Sequence, residues 1–464
     1  MLFSSTVFLL VFLPVVLLIY YLLRGKRRLQ NIFLLLASLV FYAWGKPENV
    51  LLLLFSIACN YGFGVLIGAL REKGRSSTAA LIGAVAVNLG VLFVFKYLNF
   101  TTAQLSALGL ELSLTRIALP IGISFFTFQA MSYVIDVHRG QTPAQKNPLT
   151  LALYIALFPQ LIAGPIVKYH TVAEQLDGRV ESWEGFSSGV RRFLVGLCKK
   201  VLLANQLALI ADRAFSAGAP AASMAWLGAV CYALQIYFDF SGYSDMAIGL
   251  GAMFGFRFEE NFRYPYCAAS VTDFWRRWHI SLSSWFRDYV YIPLGGSRGS
   301  TAKLVRNLLI VWALTGIWHG ANWTFLLWGL FYFVLLTVEK LGRLEERWPT
   351  ALRRILTLLA VLFAWVLFRA EDLGAAGRYF AAMFGANGAF DAQTLFCLRE
   401  YAVFLIAGLV FAVPTAVWVR HWAEKSRAKT LWEILGAVGL ALLYIIVICY
   451  LVKGTYNPFI YFNF

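Results

Sequence analysis

Charged residues are scarce in this chain: Asp, Glu, Lys and Arg make up 14% of its 464 residues, where a soluble domain carries about 25%. The charged surface that would hold it in water is missing, and so is any polar tract long enough to form a separate soluble domain. No internal repeat or low-complexity segment is present. The six cysteines, Cys59, Cys198, Cys231, Cys267, Cys397 and Cys449, contain no CxxC pair. Neither a disulfide framework nor a zinc cluster is therefore expected, and buried hydrophobic packing is the simpler role. Histidine is equally sparse, with five in the chain, so each one can be weighed individually.

What the chain has in abundance is apolar surface, 60% hydrophobic and 16% aromatic residues. Uncharged runs at 2–23, 49–70, 78–95, 117–135, 401–419 and 434–452 approach or exceed the roughly 20 residues that cross a hydrocarbon core. They predict a polytopic all-α membrane protein. The net charge of +16 does not point to nucleic acid, because the basic residues lie between apolar runs rather than on one polar face. Arg24, Lys26, Arg27 and Arg28 follow the first run; Arg71, Lys73 and Arg75 come two crossings later; Arg139 and Lys146 two crossings after that. The intervening loops hold only Lys46, Lys96 and Arg116. The positive-inside rule then puts the basic loops in the cytoplasm and the N-terminus outside. The first run lacks a basic n-region and is read as a retained span.

The regular pattern degrades after residue 149. The run 149–167 is interrupted by Pro159 and Gly164-Pro165, and 193–211 carries Lys199-Lys200 in its middle. Broken or re-entrant segments are expected there, and these need protein or a water-filled cavity around them. One membrane domain, 1–464, is expected to divide into scaffold helices at 1–148, a catalytic core at 149–340, and C-terminal helices with an aromatic tail at 341–464. Residues 257–300 are too polar to span, yet a helix at 270–288 would put Trp275, Trp278, Leu282, Trp285 and Phe286 on one arc, with His279 at its edge. That pattern predicts an interfacial helix, started by Ser270 with Asp273 three residues on.

His138, His170 and His421 lie in polar settings and read as surface groups. His319 differs: it is the one imidazole in the uncharged run 308–338. Eleven residues of helix place it roughly 16 Å from Leu308, near mid-membrane if Leu308 starts at the edge. Desolvation there would keep it neutral and able to take a proton from a hydroxyl. Gly316 and Gly320 on either side leave room for a substrate to approach. A metal site is not supported, since His279 and His319 have no Cys, Asp or Glu at ligand spacing. A relay of Asp239, Asp245 and His319 in an ion-coupled transporter is the main rival, although the segment 238–245 also reads as a helix break with aspartates capping backbone donors.

The motif Trp275-Arg276-Arg277-Trp278-His279 through Gly295-Gly296, followed by Trp318-His319-Gly320, resembles the membrane-bound O-acyltransferase family. The likeness extends through 237–245, Asn261-Phe262-Arg263-Tyr264-Pro265-Tyr266 and the ending 459–464, and is strongest to the bacterial branch serving alginate and peptidoglycan acetylation and teichoic-acid D-alanylation. It implies a ring of about eleven helices around a central tunnel, His319 as catalytic histidine and His279 as a second one near the cytoplasmic mouth. Trp318, Asn322, Arg276, Arg277, Arg287 and Asp288 are candidate substrate-binding residues, with Arg276, Arg277, Lys199 and Lys200 able to attract the phosphates of a coenzyme A donor or anionic lipid headgroups. The resemblance further implies acetyl-CoA as donor, an extracytoplasmic SGNH-hydrolase-like acetyltransferase as partner, a polysaccharide as indirect acceptor, and the bacterial plasma membrane as location. A transporter or flippase and an assembly scaffold remain the alternatives. Tyr461 in the terminal hexapeptide is either an interface anchor or an acyl-accepting relay.

Overall fold

A computed structural model describes the chain except Glu111, Leu114, Arg116, Thr455, Pro458, Phe459 and residues 461–464. Every element among the described residues is helical. Among the described residues, six helices are long and apolar enough to cross a membrane: Asn49–Glu72, Thr78–Ala107, Trp183–Ser216, Trp323–Gly342, Thr350–Arg369 and Lys429–Lys453. The chain is a multi-pass membrane protein.

The chain divides into two compact units, Met1–Phe193 with Met246–Glu259, and Leu194–Asp245 with Glu260–Phe464. In the first, the helices Phe8–Leu22, Arg27–Ala43, Asn49–Glu72, Thr78–Ala107 and Ile123–Arg139 follow one another. Phe3, Phe8, Phe41 and Phe158 interlock at its centre, with Phe3–Phe8 and Phe41–Phe158 centroids 5.0 and 5.4 Å apart. Asn60 and Asn88 tie two spans together by reciprocal amide bonds of 3.1 and 2.8 Å, because lipid offers a buried amide no other partner. The segment expected to be broken is broken: Pro148–Ala156 and Phe158–Leu161 are short and buried. His170 Nδ1 lies 2.8 Å from the buried Asp136 carboxylate, and His138 Nδ1 lies 2.8 Å from Ser77 Oγ.

The second unit departs further from the hydropathy pattern. Trp183–Ser216 is not interrupted at Lys199-Lys200; it stays helical through a π-turn at Lys199–Ala204. The segment read as a break at 238–245 lies inside the 32-residue helix Ala222–Met253. The run 401–419 is not one span: Ala392–Glu400 and Ala402–Phe411 meet at 70°, and Thr415–Lys425 is a separate helix. The uncharged run 308–338 is two helices, Thr301–His319 and Trp323–Gly342. These two pack closely because Gly316 and Gly329 lack a side chain: a Cβ on Gly316 would come within 2.5 Å of the Phe325 carbonyl oxygen, and one on Gly329 would strike the Trp312 carbonyl. Small residues that let helix backbones approach replace the hydrophobic drive that lipid cannot supply.

Candidate active site

Both motif histidines belong to the second unit, and each sits at a helix break. The expected helix at 270–288 is two short ones, Val271–Arg277 and Ile280–Phe286. His279 between them takes a left-handed conformation, φ 43°, which an L-residue helix cannot continue through. Ser270 caps the first helix as its spacing predicts, accepting from the Asp273 N–H at 3.0 Å. The apolar arc is also as expected in composition, but it packs on protein: Trp275 meets Trp312 and Tyr332 with centroids 4.7 and 4.9 Å apart.

Asn261 fixes the state of His279. Its Oδ1 accepts from the Ser281 backbone N–H at 3.1 Å, and because that group can only donate, the amide orientation is settled. The same oxygen lies 3.2 Å from His279 Nδ1, so Nδ1 carries the ring proton and donates it. Nε2 is therefore the basic nitrogen of the neutral ring. Asn261 Nδ2 donates to Ser244 Oγ at 3.0 Å, and the Asn261 carbonyl accepts from the Ile280 N–H at 3.0 Å. Burial, with His319 nearby, pushes the His279 imidazole well below its ordinary value and keeps it neutral. The ring of Phe240 stands edge-on to it at 4.5 Å.

His319 is the last residue of its helix; extended Gly320 ends the helix, and Asn322 caps the next by accepting from the Thr324 N–H at 3.1 Å. The residue is 5% exposed. It is enclosed by Trp318, Trp328 and Phe368 with centroids 5.0, 5.0 and 5.2 Å away. Trp318 also lies 6.1 Å from His279, so one indole contacts both imidazoles. The position expected in mid-helix is thus a helix end, and the space beside Gly320 is filled by the Phe325 ring rather than left open for substrate.

The remaining candidates separate. Arg276 and Arg287 line a mostly apolar slot of about 220 Å³ together with Trp275, Phe286, Trp312 and Lys340. Arg277 pairs with Asp273 at 2.8 Å and Arg287 with Asp288 at 2.7 Å. Asn322 Nδ2 donates to the Glu371 carbonyl at 2.7 Å, joining two loops. Lys199 and Lys200 do not join the arginines; they pair with Asp245 and Asp239, each at 2.6 Å. These pairs commit the two carboxylates that a transporter relay would need. Tyr461 lies outside the described residues. Sequence reasoning missed Asn261, Phe240, Trp328 and Phe368 as neighbours of the histidines, although Asn261 opened a motif already singled out.

A model of the membrane-bound O-acyltransferase family matches residues 137–373, a segment that contains both histidines. A probable alginate O-acetylase AlgI of Azotobacter vinelandii is 46% identical over 427 residues, covering 89% of this chain and 84% of the relative. The Pseudomonas aeruginosa protein of the same name is 48% identical over 391 residues, 83% of this chain and 75% of that one. A peptidoglycan O-acetyltransferase of Helicobacter pylori is 34% identical over 425 residues, 84% and 80% of the two chains. With two buried histidines joined through Trp318 inside the matched segment, the chain belongs to the membrane-bound O-acyltransferase family and is an O-acyltransferase.

Proposed function

We propose that this chain takes an acetyl group from a cytoplasmic thioester, acetyl-CoA, and carries it across the bacterial plasma membrane for O-acetylation of an exported polysaccharide. The names of its relatives favour alginate first and peptidoglycan second. The carrying observation is the pairing of His319, nearly closed off by aromatic rings, with His279, whose basic nitrogen is assigned by Asn261. In the reaction proposed, His319 removes the proton of an acceptor hydroxyl while its oxygen attacks the thioester carbonyl. The tetrahedral intermediate collapses, the C–S bond breaks, and the proton passes to the departing thiolate, leaving an ester and a free thiol. General-base assistance of this kind is worth roughly 10²–10⁴-fold.

His279 and Trp318 form the adjoining wall of the acyl path in this reading, and Arg276 and Arg287 meet the donor's phosphates at the rim of the slot. The chain acts as one acyltransferase domain, a ring of about eleven helices around a tunnel, with its N-terminus outside. An extracytoplasmic SGNH-hydrolase-like transferase then delivers the group to the polymer, and Tyr461 is proposed as the relay hydroxyl between them. Purified protein in nanodiscs, given labelled acetyl-CoA and the partner, tests the function. Release of free coenzyme A with label in the polysaccharide is the expected result; intact thioester after prolonged incubation overturns it.

A further inference from the structure

The buried Lys200–Asp239 pair has no role in the chemistry above, and both side chains are 3% exposed. An ion pair so deeply removed from water gives little net stability, since desolvation offsets most of the attraction. What distinguishes this one is a third partner. The other carboxylate oxygen, Asp239 Oδ2, accepts the backbone N–H of Ile460 at 2.9 Å in a buried setting. Ile460 belongs to the tail that follows the helix Lys429–Lys453, and its side chain joins the same hydrophobic cluster as Phe238 and Trp278.

Two further contacts extend this attachment. Tyr456 Oη donates to Asp212, which Arg369 holds at 2.9 Å, and Asn457 Oδ1 accepts from the buried Asn205 at 3.3 Å. Asp212 and Asn205 of the helix Trp183–Ser216 thus meet the tail directly, whereas Lys200 of the same helix reaches Ile460 only through Asp239 of the helix Ala222–Met253. Lys200 itself lies in the π-turn at Lys199–Ala204.

We propose that Lys200 and Asp239 are positioning residues whose carboxylate clamps the chain by its backbone at Ile460, and that acyl transfer depends on this clamp. This rests on the acyl-transfer reading for its consequence but not for the clamp itself. A backbone N–H is recognised rather than a side chain, so the clamp fixes register at position 460 for any residue but proline. Lys200 neutralises the carboxylate that would otherwise be costly to bury and holds it in one rotamer.

Ile460→Pro deletes the donated hydrogen and leaves Lys200 and Asp239 intact, with Ile460→Val as the matched chain that keeps it. The double variant Lys200→Met with Asp239→Leu removes both charges and the acceptor, whereas Lys200→Met with Asp239→Asn keeps a carbonyl acceptor without charge. Carboxypeptidase trimming followed by intact mass reads tail seating without any need for activity. Ile460→Pro and the Met–Leu double variant should be trimmed at least roughly tenfold faster than Ile460→Val and the Met–Asn variant, and should transfer acetyl at least roughly tenfold more slowly at saturating donor, with donor KM unchanged. Equal trimming in all four overturns the clamp. Faster trimming with normal transfer overturns the positioning role. If the unsubstituted protein transfers no acetyl at all, the acyl-transfer reading fails while the trimming ratio still decides the clamp.

Discussion

His279 and His319 are buried to a similar depth in different surroundings. His279 is held by polar groups: a left-handed backbone, the Asn261 amide and the Ser281 backbone surround it, and its tautomer follows from who donates to whom. His319 is surrounded by aromatic rings, those of Trp318, Trp328 and Phe368, at the end of a helix. Hydrogen bonds fix a proton's location, whereas aromatic packing fixes a ring's position and excludes water. A site that must both move a proton and keep water from a thioester needs both kinds of control.

Substitutions at the two places should therefore fail differently. The largest effect is expected at His319: His319→Ala should lower acetyl transfer by roughly 10²–10⁴-fold while the protein still elutes as a folded, monodisperse species. Acetyl transfer near the normal rate would remove His319 from the chemistry. Next is Asn261→Ala, which strands the Ser281 N–H and the His279 Nδ1–H without their acceptor. Each buried unsatisfied group costs about 1–3 kcal/mol, so thermal unfolding in detergent should shift down visibly, with activity falling alongside. An unchanged unfolding temperature would mean that Asn261 does not hold the His279 segment.

The same contrast has a pH signature. His279 is neutral when folded but has an ordinary value of 6.5 when unfolded, so below that pH the unfolded chain binds the additional proton. Stability therefore falls as pH drops below about 6.5 and is insensitive to this group above it. Asn261→Asp places a carboxylate beside Nδ1 and favours the imidazolium, so the acid-side loss should shrink in a series of melts from pH 5 to 8. Identical slopes in both proteins would contradict the assignment.

Packing around His319 should respond to volume instead. Gly316→Ala drives a methyl into the Phe325 carbonyl and should cost about 1–3 kcal/mol, whereas Gly62→Ala, with no atom within 4 Å of the added carbon, should be silent in the same melt. The smallest effect is at the slot. Arg276→Gln with Arg287→Gln should raise donor KM several-fold with little change in kcat, measured in lipid-free detergent; an unchanged KM would assign these arginines to lipid headgroups instead.

These contrasts also mark what was legible in the sequence. The spans Asn49–Glu72 and Lys429–Lys453 nearly coincide with uncharged runs, because hydropathy registers what lipid requires of a helix. His319 stood out as the one imidazole in such a run, whereas the contact of Trp318 with both histidines had no local signature. The break at Gly320 was hidden because Gly in an apolar run reads as helix packing as readily as a helix end. Lys199-Lys200 looked like an interruption since their neutralising partners, Asp239 and Asp245, lie far along the chain. For the same reason 238–245 looked like a loop: two aspartates fit inside a buried helix only when lysines from another helix meet them. The left-handed turn at His279 depends on Asn261, again a tertiary contact without local signature.

Chemical rescue decides whether the His319 imidazole itself serves as the base. His319→Gly opens a ring-sized space inside the aromatic box, and turnover of acetyl-CoA by that protein is measured with and without added imidazole. Almost no thiol release is expected without imidazole, and a saturable recovery with it. Thiol release by folded His319→Gly at the normal rate, with no imidazole present, would contradict it.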